Sequence, residues 1–302
     1  MKILYLGLPL GALMLYQEGH TLVGACISRP SMPGMRRVRR MMSLHRAPLL
    51  GRPDLTQPTV QALLASTEPD LVVSWFWTRR IPPAVIAMGK RGGINVHPSL
   101  LPRHRGPDPY FWTILKGDAE TGVTVHRLTA NYDEGAILDQ RRVPTPPDVN
   151  AWELARRLDR PSLEALRDVV NGIDQGSVDL AGTAQEHARA TLAPRPTDDD
   201  CEILWDAPAR EVLARVRAAS PEPGAFTGFG DETVVVLRAR RAEWVPGGLQ
   251  PGDAVKTREG VVVVCARGEA VVLTRARRED DDAALEGDAI AALFPGIGDA
   301  RQ

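Results

Sequence analysis

Residues 93–98 read G-I-N-V-H-P. Asn95 and His97 alternate with Ile94 and Val96. On a strand, both polar side chains therefore point to one face and both apolar ones to the other. Pro98 has no N–H to offer a ladder, so the strand ends there. An amide and an imidazole thus stand side by side where a strand runs out. In open α/β sheets that is where ligands bind. A chain with this word at its centre calls for a sheet whose strand ends gather along one edge.

The flanking sequence spells such a sheet. Residues 2–7, K-I-L-Y-L-G, form the unbroken apolar run of a buried parallel strand. A helix over 10–17 and a second strand over 21–28 complete a βαβ unit. Its turn reads G-L-P-L-G rather than G-x-G-x-x-G, so no nicotinamide cofactor is expected. Further strands are expected at 70–75, 94–97, 123–128 and 136–143, and a short helix at 59–66. A longer helix over 152–173 follows from the spacing of Leu154, Leu158, Leu163, Leu166 and Val170, with Pro161 expected to kink or break it. The aromatic run at 75–77, W-F-W, is either core or one wall of a pocket for a flat heterocycle.

Residues 30–52 carry Arg36, Arg37, Arg39, Arg40 and Arg46 among prolines and glycines. They read as a loop, either simply solvated and partly mobile or serving as an electrostatic grip on phosphates. The net charge of the chain is −1, which supplies no global field toward nucleic acid or membrane and makes this local cluster more informative.

At 302 residues the chain exceeds one ordinary small domain, and two are expected. Composition shifts near Ala181, and A-P-R-P-T-D-D-D inside residues 181–200 reads as a linker. Beyond it come a helix at 209–219 and Val-rich runs at 234–238, 261–265 and 271–274, separated by Gly and Pro. That is the spelling of a small antiparallel barrel or sandwich. The tail from 277 is charged and then helical to about residue 293. Cys26, Cys201 and Cys265 are scattered and odd in number, with neither a disulfide framework nor zinc spacing. No leader and no membrane-length apolar run is read, so the expected location is cytoplasmic.

Asn95 offers a hydrogen-bond donor, and His97 can hold or release a proton near neutral pH. Asp133 lies in the turn N-Y-D-E-G, where a loop can return it to the imidazole. A carboxylate so placed raises the pKa of a histidine and orients it. Together the three can stabilise an oxyanion and move a proton during acyl transfer. Beside this stands the plain structural reading, a satisfied polar pair on a strand. No G-x-S-x-G occurs, no serine or cysteine has the surroundings of a nucleophile, and no metal site is expected.

The longer word N-V-H-P-S-L-L-P-R-H-R-G, followed by T-G-V-T and N-Y-D-E-G-A-I-L, resembles the 10-formyltetrahydrofolate-dependent formyltransferases. The resemblance covers nearly the whole chain. Residues 1–180 are similar to the family's Rossmann-like catalytic domain. A-T-L-A-P-R-P-T, I-L-W-D and P-E-P-G-A-F resemble the linker (residues 181–200) and the OB-like carboxy-terminal domain (201–302) of methionyl-tRNA formyltransferases.

The resemblance implies that Asn95 donates to the formyl oxygen, that His97 handles the proton and that Asp133 pairs with His97. It implies 10-formyltetrahydrofolate as co-substrate. Ser99, Leu100, Leu101 and Pro102 would frame the folate together with the turn Thr129, Ala130, Asn131, Tyr132 and Asp133. The backbone of Arg79, Arg80 and Ile81 would meet the pterin, and Leu100 and Leu101 would serve mainly as packing.

Arg36, Arg37, Arg39 and Arg40 stand at the position of the family's tRNA-contacting loop, although P-S-M-P-G-M-R-R-V-R-R lacks its usual Gly/Lys-rich spelling. W-F-W-T-R-R, T-V-H-R-L and G-A-I-L-D-Q are closer to formyltransferases of amino-sugar nucleotides. Pro107 stands where some of those carry an arginine. The acceptor is therefore initiator tRNA or, as the alternative, an amino-sugar nucleotide or other small amine. A hydrolase passing the formyl group to water would use the same three residues. A non-catalytic folate- or RNA-binding module would not need all three. The oligomeric state stays open.

Overall fold

The computed structural model describes residues 1–230, 232–245, 247–294 and 297–299. Contacts divide the chain into two units. The first comprises Met1–Pro109, Glu120–Pro144 and Arg156–Pro194, and the second Tyr110–Ala119, Thr145–Ala155 and Arg195–Gln302.

The chain runs β1 (Lys2–Gly7), α1 (Pro9–Gln17), β2 (Thr21–Ile27), α2 (Met35–Leu44), β3 (Leu49–Gly51) and α3 (Pro58–Ala65). It continues with β4 (Leu71–Trp75), α4 (Pro83–Ile86), β5 (Gly93–His97), α5 (Pro109–Leu115), β6 (Glu120–Arg127), β7 (Ile137–Pro144) and α6 (Ala151–Gln175). The first unit is an α/β structure around a sheet of order β3-β2-β1-β4-β5-β6-β7. From β3 to β5 every pairing is parallel, and β6 and β7 then add antiparallel. The order reverses between β1 and β4, the topological switch point at which open α/β sheets bind ligands. The apolar runs of β1 and β4 are buried along almost their whole length, as strands covered on both faces must be.

Three local expectations change. Residues 30–52 are not one loop: they hold the ten-residue helix α2 and the short strand β3. Met35, Val38, Met41 and Met42 recur at helical spacing, and all four are buried. The apolar face of α2 outweighs the loop composition around it. Helix α6 runs through Pro161 rather than ending there. An interior proline costs a helix about 3 kcal/mol. Here Ser162 beside it donates to the Asp159 carbonyl at 2.7 Å and accepts from Trp75 Nε1 at 2.9 Å. Those bonds tie the proline turn to the sheet. The same bond assigns Trp75 to the core, where it is 2% exposed. Toward the end of the chain, Gly287–Leu293 forms a 3-10 helix, tighter than the helix expected there.

The second unit is β-rich. After α7 (Asp198–Cys201) and α8 (Ala209–Ala219) come β8 (Ala225–Phe229), β9 (Glu232–Arg241), β10 (Ala254–Thr257), β11 (Gly260–Val264), β12 (Ala270–Arg278), β13 (Leu285–Glu286) and β14 (Gly298–Asp299). Strands β8 to β13 pair antiparallel, and β14 adds parallel to β10. Valines of β9 and β11 and the apolar face of α8 fill its core, with Phe111, Ile114, Val149 and Leu154 from the two earlier segments. Among the described residues, no helix is long and apolar enough to cross a membrane.

Candidate active site

Strand β5 ends at His97, and β6 runs antiparallel beside it, with Asn95 opposite His126 and His97 opposite Thr124. The period of two puts Asn95, His97, Thr124 and His126 on one face of adjacent strands, while Val123 and Val125 are buried on the other. Asp133 arrives from the turn between β6 and β7. Its Oδ2 lies 3.5 Å from His97 Nδ1 and its Oδ1 3.4 Å from His126 Nε2. The three residues predicted as catalytic are thus brought to one place.

Backbone carbonyls fix which nitrogen of each ring carries a proton when the ring is neutral, because a carbonyl can only accept. His97 Nε2 donates to the His104 carbonyl at 2.7 Å, which leaves Nδ1 of the neutral ring bare toward Asp133. His126 Nδ1 donates to the Arg127 carbonyl at 2.8 Å, which in the neutral ring leaves Nε2 bare. That Nε2 accepts from Asn95 Nδ2 at 3.2 Å. His126 was not among the predicted site residues. The alternation T-V-H in β6, which mirrors N-V-H in β5, was the signal for it.

Burial drives the pKa of His97 below the ordinary histidine value, and the Asp133 charge offsets only part of that. The expected raising of His97 is thereby reversed, since a ring 4% exposed loses more from desolvation than it gains from its carboxylate. Burial alone would raise Asp133. The facing His97, the His126 ring and the Gly106 N–H at 2.9 Å outweigh it and hold the carboxyl well below the usual range. At neutral pH the site therefore holds an ionised Asp133 and a neutral His97.

Asp133 has φ of 53°, a left-handed conformation that aspartate tolerates better than most residues. Its turn is clamped. Gln185 Nε2 donates to the carbonyls of Asp133 and Gly135, both at 2.7 Å. Gln185 Oε1 accepts from Arg105 Nε at 3.1 Å and Nη2 at 2.7 Å. Both clamp residues are buried, and neither was predicted. Gly106, which supplies the N–H to Asp133, has φ of 124°, and a Cβ there would meet the Ala193 carbonyl oxygen at 2.7 Å. Only glycine suits that position.

The segments predicted to frame a ligand lie around this centre. Arg80 donates to the Ala130 carbonyl at 2.9 Å and so ties the stretch Arg79, Arg80, Ile81 to the turn of Asp133. Arg79 lies over the Trp77 ring, and Ile81 is a core residue. Thr129, Ala130, Asn131 and Tyr132 lie toward solvent, and all four are exposed. Ser99 and Leu101 are buried. Thr124 Oγ1 donates to the Ser99 carbonyl at 2.7 Å and accepts from Leu101 N at 3.2 Å, which seats the loop through Leu100 and Pro102 on β6. Arg36, Arg37, Arg39 and Arg40 do not join the centre. They are exposed on α2, which follows β2, and β1 and β4 stand between β2 and β5 in the sheet. Burial pushes the Cys26 and Cys265 thiols up to about 12, which leaves neither as a nucleophile at neutral pH. Among the described residues no group of three His, Cys, Asp or Glu is arranged to hold a metal.

Two family descriptions match this chain: "Formyl transferase" over residues 33–170 and "Formyl transferase, C-terminal domain" over residues 196–290. The chain belongs to the formyltransferase family. Among curated relatives of this enzyme, the methionyl-tRNA formyltransferase of Anaeromyxobacter dehalogenans (strain 2CP-C) is 34% identical over 293 residues, covering 92% of this chain and 93% of that protein. The methionyl-tRNA formyltransferase of Roseiflexus sp. (strain RS-1) is 33% identical, covering 91% and 87%. The fold also matches the crystal structure of HypX from Aquifex aeolicus in complex with tetrahydrofolic acid, with a TM-score of 0.69 at 20% identity over 99% of this chain and 48% of that one. An N-formyltransferase from Helicobacter canadensis, solved with folinic acid and dTDP-3-aminofucose, superposes with a TM-score of 0.68 at 13% identity over 90% and 98%. This formyltransferase thus has the fold of both structures, and its sequence is far nearer to the curated relatives.

Proposed function

We propose that this formyltransferase moves the formyl group of 10-formyltetrahydrofolate to the amino group of methionyl-tRNA. The observation that carries the acceptor is the likeness at 34% identity to a methionyl-tRNA formyltransferase across 92% of the chain, including both units. The four arginines on the solvent face of α2 support it, because a helix held by a buried apolar face can present them together to phosphates.

The donor set fits a folate-borne formamide. Asn95 is half-buried beside the buried imidazole of His97 and the half-buried carboxylate of Asp133, and the turn Thr129–Tyr132 is open to solvent next to them. That turn, the loop from Ser99 to Pro102 and the backbone of Arg79, Arg80 and Ile81 would hold the folate. When bound, 10-formyltetrahydrofolate supplies the activated formyl group. Asn95 Nδ2 donates to the formyl oxygen as it gains charge. The bare Nδ1 of His97 takes the proton released by the attacking amine, and Asp133 stabilises the imidazolium so formed; as the bond between the formyl carbon and folate N10 breaks, that proton passes to N10 and tetrahydrofolate leaves. None of these steps requires a covalent enzyme intermediate.

The test supplies wild-type protein with formyl-labelled folate and, separately, methionyl-tRNA, an amino-sugar nucleotide or buffer alone. Label is expected in methionyl-tRNA. Label in the sugar alone would replace the acceptor, and formate release without acceptor would mark a hydrolase.

A further inference from the structure

His126 lies outside the three residues to which the proposed reaction assigns a role, yet it touches two of them. Its ring is 1% exposed, Nε2 is 3.2 Å from Asn95 Nδ2, and the same atom is 3.4 Å from Asp133 Oδ1. A side-chain amide has two ends of nearly equal shape and opposite hydrogen-bonding character, so an oxyanion donor must be held the right way round. Nothing in Asn95 itself does this. The Arg127 carbonyl does it indirectly. It claims the Nδ1 proton of His126, the bare Nε2 then demands a donor, and Asn95 answers with Nδ2. One Nδ2 hydrogen is used in this way and the second is left for a ligand.

We propose that His126 is a positioning residue: its bare Nε2, fixed by the Nδ1–H bond to the Arg127 carbonyl, sets the amide of Asn95 with its nitrogen toward the reacting oxygen. This rests on the reading of Asn95 as the oxyanion donor. The register Asn95 opposite His126 on paired strands makes the arrangement rigid. A site built on strands holds its geometry more closely than one on loops.

The test compares His126→Met, which keeps bulk and removes the acceptor, with His126→Gln, whose Oε1 can accept from Asn95. His126→Met is expected to lower kcat about 10- to 100-fold, less than or up to the loss of an oxyanion donor, with KM for the formyl donor within about threefold. His126→Gln is expected to recover most of that loss. A merely structural role would move both variants alike. Unchanged kcat in a folded His126→Met, or a His126→Gln no better than it, overturns the proposal.

A second readout needs no turnover. Nitrogen-15 NMR of the wild type is expected to show neutral His126 as the Nδ1–H tautomer and neutral His97 as the Nε2–H tautomer. A neutral His126 protonated at Nε2 overturns the proposal. Should the wild type formylate no acceptor while the NMR result holds, the reading of the reaction falls and the pairing of His126 with Asn95 stands.

Discussion

Burial and charge act on His97 and Asp133 in ways that leave one neutral and the other ionised at neutral pH. A neutral imidazole can accept a proton only above its own pKa. The acidic limb of kcat/KM is therefore expected to have its midpoint below about 6.5, the ordinary histidine value, with a plateau through neutral pH. A midpoint clearly above that value would contradict the account. The same direction governs stability. As pH falls through about 6.5, the unfolded chain takes up a proton at residue 97 that the folded chain refuses, so this contribution is lost toward acid. Asp133, held low, contributes above about 3.9 and loses its contribution as pH falls further toward its depressed folded value. His97→Ala and Asp133→Ala are each expected to lower turnover about 10²- to 10⁴-fold with circular dichroism unchanged. Full turnover by either folded variant would remove these residues from the reaction.

Helix α2 shows how an element can hide in its own composition. Six arginines, three prolines and two glycines give residues 30–52 the composition of a loop, while Met35, Val38, Met41 and Met42 carry a helical period beneath it. Methionine packs like any flexible apolar side chain, and three of them with Val38 suffice to seat ten residues. The arginines should accordingly be separable from the fold. Replacing Arg36, Arg37, Arg39 and Arg40 with alanine is expected to keep the helix and folate binding. The same change should flatten the salt dependence of tRNA binding by roughly one slope unit for each phosphate left without its arginine. The check is tRNA affinity at several salt concentrations. Equal, feeble binding by wild type and variant would turn the acceptor toward a small amine.

Other elements were plain in the sequence. The parallel strands β1 and β4 are legible because they are covered on both faces and so are largely apolar, and β5 because its polar and apolar residues alternate. Of the site, Asn95 and His97 are legible because one strand carries both, and Asp133 because a tight turn, N-Y-D-E-G, carries it. His126 shows only as the polar position of T-V-H in β6, and Gln185 and Arg105 do not show at all, since they reach the centre from beyond α6 and from a loop. No local pattern reports a hydrogen bond across 31 or 52 residues.

At the scale of the whole molecule, the two units are threaded rather than serial. The second unit's core takes Phe111, Ile114, Val149 and Leu154 from segments far ahead of the residues it packs them with. A fragment ending at residue 194 would carry these apolar side chains without Val234, Val261 or Leu273 to cover them. It is expected to aggregate or to bind hydrophobic dyes, whereas the full chain should do neither; a soluble, cooperatively melting fragment would contradict this. The interleaving also has a cost in time. A ribosome adds about 5–20 residues per second, so Phe111 waits on the order of ten seconds or more before the last strands of its core emerge. During that interval a nascent chain of this enzyme, whatever its final stability, displays an unfinished core to the cell. Its yield in vivo would then be set by what shelters those few side chains while synthesis catches up.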